Sequence, residues 1–175
     1  MTQRDVGVQC GLPVPDGGEH GGLADRLWRI GLRCAYRLQL AVWYVLRPHI
    51  RGAYVAVWHG ERVLVIRNSY RRALSLPAGR PRRGERLAAA AARELAEEVG
   101  IVVPCDALRY AGQIVDASGR AVDHAHIFEL CCEEEPALRV DGREVIWAGF
   151  LSPEQALERE LMSVVRRYLN RPSEP

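Results

Sequence analysis

Residues 79–101, GRPRRGERLAAAAARELAEEVGI, contain the strongest helix signal of the chain. Alanine and leucine dominate from Leu87 to Val99, and both residue types have high helix propensity. Gly100 follows directly, and glycine is the residue most often found just beyond the end of a helix. The stretch therefore predicts a helix over residues 87–99, preceded by a loop rich in arginine.

Segments with the composition of β-strands lie on both sides of this helix. Two runs before it, 52–58 and 62–66, are separated by a His-Gly-Glu hairpin signal. Three further runs follow it, at 108–115, 122–132 and 145–151. Strands before and after a central helix predict an α/β sandwich with a mixed sheet.

A final helix is predicted after the last strand. Residues 152–155, Ser-Pro-Glu-Gln, form a capping box with proline at the first helical position. Four apolar residues that follow are expected on its buried side: Leu157, Leu161, Val165 and Tyr168.

The chain before the first strand divides into two parts. Residues 1–22 are rich in glycine and proline, so we expect a flexible tail there, with a second tail at 171–175. Residues 23–48 predict an amphipathic helix that ends at Pro48, leaving residues 49–170 for the main domain. One stripe of the helix carries four arginines: Arg26, Arg29, Arg33 and Arg37. A different face carries apolar residues: Leu27, Cys34, Leu38 and Val45.

Two interpretations of the helix at residues 23–46 stay open. It packs on the sheet or on a second subunit, which would make a homodimer, or it anchors the chain on the surface of an anionic membrane. We favour the first interpretation. The second would direct the protein towards membrane-borne substrates.

Composition excludes several functional classes. The 175 residues include 24 arginines and no lysine, which rules out Schiff-base lysines and P-loop lysines. A net charge of +2 argues against a nucleic-acid-binding protein, because phosphate-backbone binding needs a large cationic excess. The five cysteines lack zinc-site spacing, and the longest apolar run without charge, residues 38–46, is too short to span a bilayer. We therefore expect a cytoplasmic protein.

Three carboxylates share one face of the helix at residues 87–99. Glu94, Glu97 and Glu98 are separated by three and four positions and therefore lie within about one turn. Carboxylate oxygens gathered in this way suit Mg²⁺ or Mn²⁺, which in turn bind phosphate oxygens. The alternative is a solvated acidic face in which Arg93 forms an ion pair with Glu97.

The frame around this helix resembles the signature of the Nudix hydrolases at every specified position. Gly79 is followed after five residues by Glu85, and after seven more by the segment RELAEEVGI at residues 93–101. The preceding residues 75–79 are similar to the family's Leu-Pro-Gly-Gly segment, with Ala78 in place of a glycine. The resemblance implies an α/β/α sandwich with a mixed sheet over residues 49–170, joined to the N-terminal helix.

The resemblance also implies roles for the signature residues. Glu94, Glu97 and Glu98 would be metal ligands, and the Gly79 carbonyl is a metal contact in many members. Glu85 would contribute through water or by holding other ligands. Arg93 would orient Glu97, and Glu94 is our choice for the general base.

Residues outside the signature complete the expected site. The family often has a further acidic ligand, for which Glu144 is our choice and Asp141 and Glu129 are the alternatives. Six arginines flank the helix on its N-terminal side, and we select Arg71 and Arg80 as the substrate-binding ones. Three aromatic residues stack a nucleobase or fill the core: Tyr54, Trp58 and Tyr70.

The function implied is Mg²⁺- or Mn²⁺-dependent hydrolysis of a nucleoside diphosphate linked to another moiety. The family patterns for ADP-ribose, dinucleoside polyphosphate and coenzyme A substrates are not met, since Asp116, Ala117 and Ser118 stand at the diagnostic positions of the first two. A nucleoside triphosphate or a nucleotide sugar remains. The alternatives are a non-catalytic module that senses a nucleotide and a hydrolase of a membrane-associated diphosphate.

Overall fold

The computed structural model of the chain describes residues 22–118, 121–140 and 142–171. The first 21 residues and residues 172–175, which make up nearly all of the two predicted tails, lie outside this description. The helices are α1 Leu23–Leu46, α2 Leu87–Val99, α3 Pro153–Leu157 and α4 Ser163–Leu169. The strands are β1 His49–His59, β2 Arg62–Asn68, β3 Ala78–Gly79, β4 Arg109–Asp116, β5 Val122–Cys132 and β6 Val145–Leu151.

The strands form one mixed sheet in the order β4-β5-β1-β2-β6, and the short β3 pairs with β1. β1 and β5 run parallel, whereas the other paired strands are antiparallel. Alternate residues of β1 enter opposite faces of the sheet, as the two-residue repeat of a strand requires. Ala53 and Val55 face the core under α2, while Tyr54 and Ala56 face the core under α3 and α4. The predicted α/β/α sandwich is confirmed.

α2 packs closely on the sheet because the side that faces the sheet carries small side chains. Ala90 and Ala91 are fully buried together with Leu95, so the helix backbone approaches the strands closely. Gly100 ends the helix with a left-handed φ of 76°, and its N–H donates to the carbonyl of Ala96. The outer side carries the glutamates towards solvent and towards the loop that contains β3.

The single helix predicted after β6 is wrong, because the structure has two short helices there. The capping box at Ser152 and Gln155 is present and starts α3. Residues 160–162 are not helical, because their backbone groups form hydrogen bonds with Leu74 instead of with residues of a helix. The N–H of Leu74 donates to Glu160 and its carbonyl accepts from Met162. Three of the four residues expected to be buried are buried, and Leu157 is half-buried.

α1 has the predicted bounds but presents a different face to the domain. The apolar face does not pack on the sheet, since Leu27, Leu38 and Val45 are exposed, so this part of the favoured interpretation is wrong. Packing on a second subunit stays a prediction. The opposite side contacts the loops beyond β2 and before β6. The guanidinium group of Arg29 donates two hydrogen bonds, 3.0 and 2.8 Å, to the carbonyl of Gly142, and Arg33 donates one of 3.0 Å to Ser69. Among the described residues, no helix has the length and hydropathy needed to cross a bilayer.

Candidate active site

The site begins where β3 brings Gly79 against the outer side of α2. A Cβ atom at position 79 would lie 2.0 Å from the carboxyl carbon of Glu94, so any side chain there would displace this carboxylate. One residue earlier, the N–H of Ala78 donates a 2.9 Å hydrogen bond to Glu98. The alanine in place of the family's glycine therefore keeps its backbone contact with α2.

Glu98 is the most deeply buried carboxylate of this group, with 7% of its surface exposed. Burial raises its pKa to about 8, although the Ala78 N–H and the side chain of Asn68 act in the opposite direction. The negative charges of Glu94 and Glu144 raise it further. Three carboxylates thus repel one another in a partly dehydrated space, which is an environment that a cation stabilises.

Arg93 connects the glutamates of the signature. Its guanidinium group donates to both oxygens of Glu85, at 2.9 and 3.0 Å, and to Glu94 at 2.6 Å. The expected contact with Glu97 is present at 3.2 Å. The hydrogen bonds from Arg93 and from the backbone of Arg82 lower the pKa of Glu85 to about 2. Glu85 is therefore the principal partner of Arg93 and holds it in place.

The donor set fits a hard divalent cation in its chemistry. Carboxylates of Glu94, Glu97 and Glu98 and the backbone of Gly79 supply only oxygen ligands, which Mg²⁺ and Mn²⁺ prefer. Among the described residues, no three potential ligand side chains stand close enough together to hold an ion. The ligands thus have suitable chemistry but are too far apart, because Glu94 and Glu97 form ion pairs with Arg93. Glu94 and Glu98 are the best placed of the set, since Glu97 is half exposed.

The structure separates the three candidates for a further acidic ligand. Glu144 accepts a 3.0 Å hydrogen bond from the hydroxyl of Tyr70, and its charge acts on Glu94 and Glu98. Glu129 instead accepts hydrogen bonds from Tyr168 and Arg109 and lies elsewhere on the sheet. Asp141 lies outside the described residues. Glu144 is therefore the candidate that faces the other carboxylates.

A cavity of about 650 Å³ begins at Glu98 and Glu144 and extends over residues of the central strand β1. Gly79, Glu98 and Glu144 line one end, and Asp116 and Asp123 line the opposite end. One wall is formed by residues of α1 that include Tyr36, Gln39 and Trp43. The N-terminal helix therefore contributes directly to the cavity that contains the signature residues.

Arg71 and Arg80, the two arginines selected from the sequence, both line this cavity. The guanidinium carbon of Arg71 lies 5.1 Å from the ring centre of Tyr36 and 5.2 Å from that of Tyr70. That of Arg80 lies 4.8 Å from the ring centre of Trp43. Within the described part of the chain, neither arginine has a carboxylate within salt-bridge distance, and Nε of Arg71 is buried without a hydrogen-bond partner. Aromatic rings thus hold two cations whose charge is available to an anion.

Two residues that sequence reasoning did not place in the site, Asn68 and Asp123, contribute to it, together with the aromatic candidate Tyr54. Asn68 reaches Glu98 from the end of β2. Tyr54 is buried and donates a 2.6 Å hydrogen bond to Oδ2 of Asp123, while Oδ1 of Asp123 is buried and has no partner among the described groups. An acidic residue within a mostly buried strand was the available signal for Asp123, because strands are poor in aspartate. Trp58 lies apart from the cavity, where its indole N–H donates to Tyr168.

Comparison with known proteins identifies the family. The NUDIX domain model matches residues 48–171, and the chain therefore belongs to the Nudix family. No curated protein matches the chain.

Three solved structures show the same fold. A MutT Nudix hydrolase from Burkholderia pseudomallei is 20% identical, with a TM-score of 0.60 over 69% of this chain and 95% of that one. An Ap4A hydrolase from C. elegans is 17% identical, with a TM-score of 0.56 over 69% and 92% of the two chains. A dihydroneopterin triphosphate pyrophosphohydrolase from E. coli is 18% identical, with a TM-score of 0.57 over 70% and 94%. About thirty per cent of the chain, which corresponds in size to the tail and α1, lies outside each of these similarities.

Proposed function

We propose that this protein is a Mg²⁺- or Mn²⁺-dependent hydrolase of a phosphoanhydride bond in a nucleoside triphosphate or a nucleotide sugar. The observation that carries the proposal is one cavity in which Gly79, the buried carboxylate of Glu98 and Glu144 lie with Arg71 and Arg80, neither of which has a described carboxylate within salt-bridge distance. A diphosphate bridges such a pair of subsites, because its oxygens bind both divalent cations and guanidinium groups. The named activities of the similar structures, on Ap4A and on a triphosphate, are of the same general kind.

Each group of residues has a separate task in this proposal. Glu98 and Glu94, with Glu97 and Glu144, would hold the divalent cation, which when bound would neutralise charge on the phosphate oxygens. Arg93, held by Glu85, fixes the positions of the carboxylates beside it. Arg71 and Arg80 bind the phosphate groups on the other side of the reacting bond.

We assign the proton transfer to Glu94, whose carboxylate fills the space above Gly79. Water attacks one phosphorus atom and gives its proton to Glu94. The anhydride P–O bond breaks, and its electron pair leaves with the bridging oxygen on the departing phosphate. The products are two phosphorylated fragments, one of them a nucleotide.

Two glutamine variants test the assignment and separate the two roles. Phosphate and nucleotide release are measured over a panel of nucleoside triphosphates and nucleotide sugars with Mg²⁺ and with Mn²⁺. In Glu98→Gln, the metal concentration for half-maximal rate should rise at least about 100-fold, since outer partners of metal ligands alone cost 10–100-fold. In Glu94→Gln, kcat should fall about 100-fold or more, which is the usual effect of losing a general base, and the metal requirement should rise less than in Glu98→Gln, because Glu98 is the more deeply buried ligand.

Glu134→Gln provides the matched control, because Glu134 is an exposed glutamate remote from the signature. It should behave as the wild type. Wild-type rates and superimposable metal titrations for both site variants would refute the assignment. Tight nucleotide binding without turnover by the wild type, with either metal, would instead indicate the sensing module considered above.

A further inference from the structure

The outer face of α1 is the largest concentration of exposed apolar side chains in the described residues. Of the twelve large apolar residues that are strongly exposed, nine lie on this helix and three elsewhere. Leu23 and Val45 are each 79% exposed, and Leu27 and Leu38 are each 68% exposed. Their spacing of four, eleven and seven positions places all four on one side of a helix. Contiguous apolar surface of this kind is unusual on a protein that stays free in water.

The edge of this apolar face is positively charged. Arg26 and Arg37 lie along one edge, eleven positions apart, and the exposed Arg47 stands directly after the helix. Asp25 is the sole acidic residue of α1, and it forms a 2.9 Å ion pair with Arg143. The helix therefore combines a broad apolar face with a row of arginines along its border.

We propose that α1 binds the surface of an anionic lipid bilayer through this face. The apolar side chains enter the boundary between headgroups and acyl chains, and the bordering arginines contact lipid phosphates. Arginine suits this position because its long apolar stem can lie along the bilayer while its charged end stays at the headgroups.

Charge distinguishes a lipid surface from a second copy of the chain. Two copies that met through this face would each bring a row of arginines and, from the helix, only Asp25, which is already paired with Arg143. Lipid phosphates supply negative charge to the exposed guanidinium groups of Arg37 and Arg47. A partner surface without acidic groups would likewise leave these arginines uncompensated. An anionic bilayer matches both the apolar face of the helix and the arginines at its border.

The proposal is independent of the catalytic one. Tyr36 and Trp43 face the cavity from one side of α1, whereas Leu27 and Leu38 point away from it. Lipid binding and the cavity therefore use different faces of the helix. Substitutions on the outer face should leave turnover of a free nucleotide unchanged.

The test is sedimentation of the full chain with vesicles. The wild type should bind vesicles of phosphatidylcholine mixed with phosphatidylglycerol, bind phosphatidylcholine alone much more weakly, and dissociate as salt is raised. The double variant Leu27→Glu with Leu38→Glu should lose this binding. Val102→Glu is the matched control, because Val102 is 83% exposed but lies outside α1, and it should bind as the wild type does.

A charge variant keeps the test decisive if glutamates on the helix disturb folding. Arg37→Gln with Arg47→Gln retains the apolar face, and each lost arginine should weaken binding about five-fold, the equivalent of about 1 kcal/mol. Circular dichroism and thermal unfolding verify that each variant is folded.

Several results would overturn the proposal. These are an absence of vesicle binding by the wild type, equal binding to neutral and anionic vesicles, and binding that survives in the folded double variant. Light scattering provides a further one. A dimer that dissociates in the double variant, without any vesicle binding, would show that the face joins two copies of the chain.

Discussion

α1 and α2 line the same cavity, yet they relate to the domain in opposite ways. α2 buries its apolar side, with Ala90, Leu95 and Val99 fully buried, and contributes the carboxylate of Glu98 to the cavity. α1 has no buried residue and turns its apolar side outward. The carboxylates of α2 are arranged by spacing within one helix, whereas the contribution of α1 depends on loops that are distant in sequence. The comparison suggests that chemistry is fixed at the α2 end of the cavity and substrate choice at the α1 end.

The strongest test at the α2 end is Arg93→Ala. Arg93 contacts Glu85, Glu94 and Glu97 together, so its loss frees three carboxylates that would then repel one another. We expect the Mg²⁺ concentration for half-maximal rate to rise and kcat to fall, each by about 10–100-fold. Kinetics over a metal titration measure both quantities.

Arg82→Ala is the control for Arg93→Ala. Arg82 is largely exposed and forms, within the part of the chain that the structure describes, one ion pair of 3.4 Å with Glu97, which is the kind of contact that contributes little. Its metal titration should match that of the wild type. If Arg93→Ala changed only the substrate KM, Arg93 would belong to substrate binding, and the division between the two ends would fail.

At the α1 end, the separate variants Arg80→Ala and Trp43→Ala should both weaken substrate binding. Trp43 holds the guanidinium group of Arg80 by a cation–π contact, so either substitution removes the phosphate-binding position of this arginine. We expect the substrate KM to rise about ten-fold in Arg80→Ala and several-fold in Trp43→Ala, with kcat nearly unchanged, because the contact is made equally in the ground and transition states.

Trp28→Ala is a control of the same residue type on the same helix. Trp28 is 57% exposed and is not among the residues that line the cavity, so its removal should leave the KM for a free nucleotide unchanged. A KM effect of Arg80→Ala without one of Trp43→Ala would remove α1 from the substrate site. α1 and α2 would then differ in how they pack on the domain, and α1 would have no role in substrate binding.

The parts of the molecule that were predictable from sequence are those fixed by local periodicity. The bounds of α2, β5 and β6 agree with the structure because helix and strand repeats report which residues share a face. The break between α3 and α4 was not predictable, since it depends on a backbone pairing with the distant Leu74. The orientation of α1 was missed for a related reason. Periodicity locates its apolar face but does not identify the surface that this face contacts.

The residues of the site likewise fall into those that local sequence patterns predict and those that depend on distant pairing. The glutamates of α2 and their partner Arg93 follow from spacing in one segment, whereas Asn68 and Asp123 join the cavity through pairing of separate strands. Asp123 reaches Tyr54 because β5 runs parallel to β1, with Ile50 and Asp123 in register. No local pattern specifies that pairing, so the far end of the cavity could not be assigned from the sequence.

The smallest expected effect concerns this far end. In Asp123→Asn the hydrogen bond from Tyr54 can persist, but the buried oxygen that has no partner among the described groups is no longer part of a charged carboxylate. If that oxygen accepts a hydrogen bond from a hydroxyl or amino group of the substrate, the KM should rise a few-fold, corresponding to about 1 kcal/mol. Asp106→Asn is the control, since Asp106 is exposed and remote from the cavity. An unchanged KM across the whole nucleotide panel would exclude Asp123 from substrate recognition.

The pH dependence of KM sharpens this last prediction. Burial raises the pKa of Asp123 above its ordinary value, although the hydrogen bond from Tyr54 and the charges of Arg80 and His124 oppose this, and Asp116 adds to it. A raised pKa means that the carboxylate is protonated at a higher pH than an ordinary aspartate, so the charged acceptor is present above that pKa and is lost as pH falls through it. The wild-type KM should therefore rise on acidification more steeply than that of Asp123→Asn, in which the titrating group is absent. Parallel KM profiles for the two proteins would show that Asp123 does not contact the substrate as a carboxylate.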